Sequence, residues 1–348
     1  MKKLVAFLIT AAMVLSMAIT AFAAGNRIVV LVPNADHGWT GSVMTYAEEH
    51  AAELTDEGTY DVTVITSTDA SNQIQQVEDL IENETADYVV ILPQDNTLEV
   101  TMRKLADSGI PYVMFDRIIE SASDKAVASV KGDNYGIGAA TAERFIEDGM
   151  VPGDGIVIMP GDNSSVPTMR NDGFYAVLKE NGWTDEQLAD IYSTDYTGWS
   201  RSTAKELFVN YLDTHTVDEI AANKFFFTHD DEIAMGILEA LKSSEIDQEK
   251  KDAFLNAGIY LGTSSGLNEL YSVLKGIHQK DYSAEVAKLA DFFSVTYDPA
   301  MIMTAIDDMI AYIDGEDVPQ DHVIPVSVVD ATNVNDFQGF GDAVAVEE

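Results

Sequence analysis

Apolar residues fall into two kinds of run that alternate from residue 27 onward. The segment RIVVLVP at 27–33 is continuously apolar, the pattern of a short strand buried on both faces. Residues 39–54 then read as a helix and 61–66 as a strand. At 72–82, Ile74, Val77, Leu80 and Ile81 form one helical stripe. A strand at 87–92, a helix at 98–106 and a strand at 110–115 follow. After Gly132 the pattern restarts, with strands expected at 155–159, 191–194, 225–228 and 254–259. Helices at 169–179, 202–212, 232–241 and 267–274 lie between and after them. A strand at 292–297, a helix at 300–312 and a strand at 322–329 complete the pattern. Such alternation implies right-handed crossovers and parallel sheets, hence two doubly wound α/β lobes. The final elements are too few for a third domain and complete the two sheets already built. The expected first lobe is 25–132 with 297–325, and the second is 133–296 with 326–348. The chain then crosses three times between lobes, producing a hinge.

The first residues obey a different rule. Lys2 and Lys3 precede an apolar run at 4–19, and Ala21-Phe22-Ala23 supplies small residues for a signal peptidase. Residues 1–23 are therefore expected to be an export signal, cleaved after about Ala23. A membrane anchor is the competing reading, but the run is short for a span and no basic flank follows Ala24. The expected location is the periplasm, or the medium where the cell has no outer membrane.

Charge and composition narrow the function. The chain has 59 acidic and 20 basic residues, a formal charge of −39, which disfavours nucleic acid and anionic lipid as partners. No cysteine is present, which removes disulfides, thiolate catalysis and Cys-type zinc sites. Gly262-Thr263-Ser264-Ser265-Gly266 fits the G-x-S-x-G nucleophile pattern, but its serines serve equally as helix caps. His278 and His322 come after it with no identifiable acid partner. The run at 136–141 begins like a dinucleotide fingerprint and lacks its third glycine. Neither enzyme chemistry, a cofactor nor a metal is expected.

Five stretches carry a resemblance: QIQQVEDLI (73–81), ADYVVILPQDN (86–96), SGIPYVMFDR (108–117), KGDNYGIGAA (131–140) and FFFTHDDEIAMGILEAL (225–241). In order and spacing they resemble the periplasmic sugar-binding proteins of the ribose-binding type, relatives of the lactose-repressor effector domain. The resemblance implies two Rossmann-like lobes joined by a three-strand hinge, the type I periplasmic binding protein fold. It implies a monomeric receptor that closes on a sugar and delivers it to a membrane ABC permease. The alternative is a sensing module that presents bound sugar to a chemoreceptor or histidine kinase. A repressor would need a helix-turn-helix where this chain has its export signal. The acidity fits a solvated surface, adaptation to salt or docking onto a basic importer face.

Ligands of open parallel sheets bind beyond the carboxyl ends of the strands, and those ends supply the candidates. Asp116-Arg117 resembles the family's Asp-Arg pair, in which Asp accepts hydroxyl protons and Arg donates a planar fork; an exposed ion pair is the alternative. Arg170, in MRNDGF, stands where the family carries a sugar-binding arginine; pairing with Asp172 or Asp162 is the alternative. Trp39 and Trp199 each follow glycine in a polar loop and suit stacking on a sugar face. Trp199, in GWSR, matches an aromatic at the family's cleft, whereas Trp183 reads as part of a surface turn. Asp230 replaces the Asn of the family's Asn-Asp-Glu triplet, exchanging a donor and acceptor for an acceptor, and equally suits a helix cap. His37 stands where pentose binders carry Asn, with a backbone-bonded loop histidine as the alternative. Two departures put ribose itself in doubt. Tyr260-Leu261-Gly262 follows the expected strand where the family has aromatic-Asp-Gly, and Thr296 or Tyr297 takes the place of a Gln. Asp116 and Asp230 balance Arg117 and Arg170, so the expected ligand is a neutral monosaccharide or sugar alcohol.

Overall fold

The computed structural model describes residues 26–34, 38–56, 58 and 60–341; the expected export signal and His37 lie outside them. Among the described residues, twelve strands form two sheets. The first contains β1 (Arg27–Pro33), β2 (Asp61–Ser67), β3 (Tyr88–Ile91), β4 (Tyr112–Phe115) and β5 (Ala128–Gly132). The second contains β6 (Gly155–Met159), β7 (Tyr192–Ser193), β8 (Asn223–Thr228), β9 (Tyr260–Ser265) and β10 (Asp291–Thr296). Two short strands, β11 (Asp321–Ile324) and β12 (Val328–Asp330), finish one sheet each.

The strand orders are β11-β5-β4-β3-β1-β2 and β12-β10-β9-β8-β6-β7. Every pair is parallel except β10 with β12. Both sheets are therefore doubly wound around one plan, with β1 and β6 at the points where the winding reverses. The run in β1 is apolar throughout because helices cover both faces of a parallel sheet, and six of its seven residues are buried.

Two strands differ from the sequence expectation. Residues 254–256 belong to the helix Gln248–Asn256, whose first turn is capped by the Asp247 carboxylate. Phe254 is the buried residue of that helix, and Gly258, at φ 70, turns the chain into β9. The short apolar run FLNAGI thus straddles a helix end and a left-handed turn, and the strand begins at Tyr260. The expected strand at 322–329 is two strands, because Pro325 has no N–H with which to continue a ladder. Before Pro325, β11 pairs with β5; after it, β12 pairs with β10.

The chain passes between the sheets after β5, after β10 and between β11 and β12. The helix Met301–Ile313 returns to pack on β3, β4 and β5. Lateral bonds tie these crossings together: Asp133 N donates to Ile324 O, Thr296 N to Ser327 O, and Ser327 N to Thr296 Oγ1. At Gly132 a Cβ would stand 2.3 Å from the ring of Tyr297 and 3.1 Å from Met301 Cε, so two crossings touch there.

The helices Asn134–Glu147 and Ser165–Glu180 pack face to face in the second lobe. A Cβ on Gly138 would stand 1.8 Å from the Arg170 carbonyl oxygen, and one on Gly173 would stand 2.0 Å from that of Tyr135. These glycines let two backbones touch, which explains the incomplete dinucleotide fingerprint as a packing device. Trp183 is buried rather than part of a surface turn, its backbone N–H donating to Leu178 O where the second of these helices ends.

Candidate functional site

At the winding reversals the two lobes face each other across a cavity of about 600 Å³, counting its open mouth. Its walls include Trp39, Asp116 and Arg117 from the first lobe and Arg170, Trp199 and Asp230 from the second. Tyr297, just past β10 on a crossing strand, lies between them.

The second-lobe wall is built around Arg170, which is 2% exposed. Its Nε donates to Asn134 Oδ1 at 3.0 Å, and Nη1 donates to Ser264 Oγ at 3.0 Å and to the His229 carbonyl. The guanidinium lies 5.0 Å from the ring centre of Tyr297 and 5.5 Å from that of Trp199. Burial lowers the Arg170 pKa, but a guanidinium remains charged at physiological pH. Trp199 has φ 60, a left-handed conformation that bulky residues rarely adopt, and its indole lies where a side chain on Gly161 would be. Strain of this kind persists where surrounding structure imposes it, often at binding sites.

Asp116 anchors the first-lobe wall. Arg117 N donates to Phe115 O at 2.7 Å, closing a tight turn on Asp116 with φ 60. Its Oδ1 accepts from the Tyr297 hydroxyl, which also accepts from Asn134 Nδ2 at 3.1 Å. Burial raises the Asp116 pKa, and Arg117 opposes that shift from 4.0 Å. Arg117 Nη1 donates to the Gln94 carbonyl, which fixes the fork at the cavity edge. Trp39 Nε1 donates to Tyr297 O at 2.8 Å, and its indole stacks on Tyr297 and Phe115 with ring centres 5.4 and 6.2 Å away.

Adjacent acids play different parts at the end of β8. Asp230 caps the helix Asp231–Lys242 through Glu232 N and borders the cavity. Burial, then the neighbouring Asp231, pushes its pKa up to about 8. A carboxyl raised this far favours its protonated form near neutral pH, in which it would both donate and accept, as Asn does. Asp231 is fully buried and turned inward, accepting from Gly266 N, Leu267 N and Ser294 Oγ.

Two further acids, Asp162 and Glu232, line the cavity. Glu232 is paired with Arg201, whose Nε is 2.6 Å from its Oε2. With Asp230 protonated and Asp116 held ionised by Arg117, Asp116 and Asp162 would balance Arg117 and Arg170.

Of the remaining candidates, Tyr260 and Thr296 lie elsewhere. Tyr260 opens β9, at the end remote from the cavity, and stacks on Phe225 with ring centres 4.7 Å apart. The expected loop Tyr260-Leu261-Gly262 is strand, Leu261 is core, and β9 ends on Ser264-Ser265-Gly266 instead. Thr296 bonds Ser327 across the crossings, while its neighbour Tyr297 enters the cavity. His37 is outside the described residues. The G-x-S-x-G match lies in and directly after β9, where Ser264 Oγ donates to the His229 carbonyl. The His229 ring meets Asn171 instead, at 3.1 Å, and burial holds its pKa well below the usual histidine value.

Sequence reading missed Asn134, Glu232 and Phe340 as site residues, and reached Asp162 only within the strand end 161–170 and as an alternative partner of Arg170. Asn134 stood within the quoted KGDNYGIGAA, directly after the first crossing, a signal that could have placed it. Phe340 lies beyond β12 on an aperiodic tail held by Phe340 N to Gly266 O and Asn268 N to Phe340 O.

A family model for the periplasmic binding protein domain matches residues 28–316. The ribose import binding protein of Bacillus subtilis is 30% identical over 181 residues, 51% of this chain and 54% of that protein, so the chain spans about half the length of this relative. The fructose import binding protein of Bifidobacterium longum is 21% identical over 307 residues, covering 86% and 84% of the two chains. An ABC transporter solute-binding protein from Bacillus halodurans, solved with myo-inositol bound, has a TM-score of 0.70 at 20% identity, covering 91% of this chain and 98% of its own. All three are binding proteins by name. Among the described residues, no helix is long and apolar enough to cross a membrane. Two α/β lobes of one strand plan, three crossings, and a family match over most of the described residues lead to one conclusion: the chain belongs to the periplasmic binding protein family.

Proposed function

We propose that this chain is an extracytoplasmic receptor that closes its two lobes on a neutral monosaccharide or sugar alcohol. It acts as a monomer and delivers the ligand to a membrane ABC permease. The observation that carries this reading is the meeting of Asp116, Arg170 and Tyr297 between two tryptophans, with a lobe or crossing behind each group. A polyhydroxyl ligand needs donors and acceptors at its rim and flat apolar surfaces for its carbon faces. Only the closed form touches such a ligand from both lobes, so binding favours closure. The near balance of cavity charge favours an uncharged ligand over a carboxylate or phosphate. A thermal-shift screen of pentoses, hexoses, polyols, sugar acids and sugar phosphates tests this, since binding to the folded form raises the unfolding midpoint. A selective rise with neutral sugars or polyols is expected. A rise confined to sugar acids or phosphates would overturn the assignment.

A further inference from the structure

We propose that the cleft contains a second sugar subsite outside the inner cavity, so that the inner unit is one end of a neutral disaccharide. This rests on the inner cavity being a sugar site. The outer cavity holds about 1220 Å³ with its mouth, against about 600 Å³ for the inner one. Arg117, Asp162, Ser164 and Trp199 line both, so the two spaces adjoin at the gap between the lobes that those residues border.

The chemistry of the walls changes across that gap. The outer space adds the neutral side chains of Gln94, Asn96, Thr97 and Asn163, which offer amide and hydroxyl donors and acceptors in the mixture that sugar hydroxyls need. Gln94 is the most telling. Its backbone N–H donates to Gln73 Oε1 at 2.7 Å, and its carbonyl accepts from Arg117 Nη1. Gln73 is itself buried and donates to Leu92 O at 3.0 Å, so the backbone of Gln94 is held from both sides. Yet its side-chain Oε1 is buried with no hydrogen-bond partner. Buried acceptors in folded proteins are nearly always met, and a rotation of this side chain into the outer space would let a hydroxyl of a second sugar ring meet this one. Trp199, fixed on Gly161 at the gap, gives the outer ring an aromatic surface.

Calorimetry with maltose, cellobiose, lactose, melibiose, trehalose and sucrose, beside glucose, galactose and fructose, tests the subsite. At least one disaccharide is expected to bind about tenfold or more tightly than either of its component sugars. Asn96 is exposed and outside the inner cavity, so Asn96→Trp should fill the outer space and cancel that advantage. Monosaccharide affinity should then stay within about twofold, while Thr97→Val should lower the disaccharide affinity alone. If monosaccharides bind and no disaccharide binds more tightly, the second subsite is refuted and the inner site stands. An advantage that survives both substitutions also refutes it. If no sugar of either size binds, both readings fall.

Discussion

In the second lobe, Arg170, Asn134, the His229 carbonyl and Ser264 bond one another within the fold. In the first lobe, Asp116 sits on a tight left-handed turn and takes its closest side-chain bond from Tyr297, on a crossing strand. The two sheets repeat one strand order, so the contrast comes from the loops at the strand ends rather than from topology. A group satisfied by its own lobe is in place before a ligand arrives, which lowers the cost of ordering on binding. A group completed by the hinge is in place only when the lobes meet. On the proposed function, the second lobe is the preorganised half and the first is the half that closes on it.

The largest test of this contrast is Arg170→Ala. Removing a buried, hydrogen-bonded charge should weaken binding of the sugar selected by the thermal screen by about 3 kcal/mol, roughly a hundredfold, by calorimetry. Arg170→Lys should recover little, since an ammonium lacks the fork that reaches Asn134 and Ser264 together. Unchanged affinity in either variant would remove Arg170 from the site. Asp231→Ala comes next. It strands the N–H groups of Gly266 and Leu267, so urea unfolding should show a loss of about 2 kcal/mol in stability.

The third test uses pH. Asp230 holds its proton up to about 8, so if that proton reaches the ligand, affinity should fall about tenfold between pH 7 and 9. Asp230→Asn keeps a donor at all pH values and should flatten that profile. Stability has the same sign, because the folded chain keeps a proton that the unfolded chain releases near the ordinary carboxylate value. The Asp230 contribution is complete below that value and is lost as pH rises through about 8. A flat wild-type profile would place Asp230 in its capping role alone. The smallest effect is expected from Thr296→Val, which removes the acceptor of Ser327 N at a partly exposed crossing. About 1 kcal/mol of stability should be lost with no change in ligand preference. A changed preference would return Thr296 to the cavity wall.

The sequence made the winding legible because parallel strands are apolar on both faces, as RIVVLVP and FFFT illustrate. Trp39, Asp116, Arg117, Arg170, Trp199 and Asp230 were locatable because each lies beyond a strand that those runs mark. The misplacement of Tyr260 has one cause: the strand was set six residues early, on apolar residues that end a helix. Thr296 and Tyr297 differ by a single position, which at the end of a strand separates a hinge bond from a cavity wall. Phe340 belongs to no periodic segment, and its place comes only from tertiary bonds to Gly266 and Asn268. The acids Asp162 and Glu232 were hidden by abundance, since one carboxylate among 59 carries little signal.

The absence of a side chain at Gly132 has a mechanical consequence. The Tyr297 ring lies directly against that backbone, and its hydroxyl reaches Asp116 while its face meets Arg170. The same ring is therefore both a bearing of the joint and a part of the binding surface. A parting of the crossings would slide the ring, and a sliding ring would take its hydroxyl away from Asp116. On the proposed function, opening and emptying would then be one stroke, with angle and occupancy read by one gauge. A fluorophore beside Tyr297 is expected to report both as a single signal, with no separate phase for release.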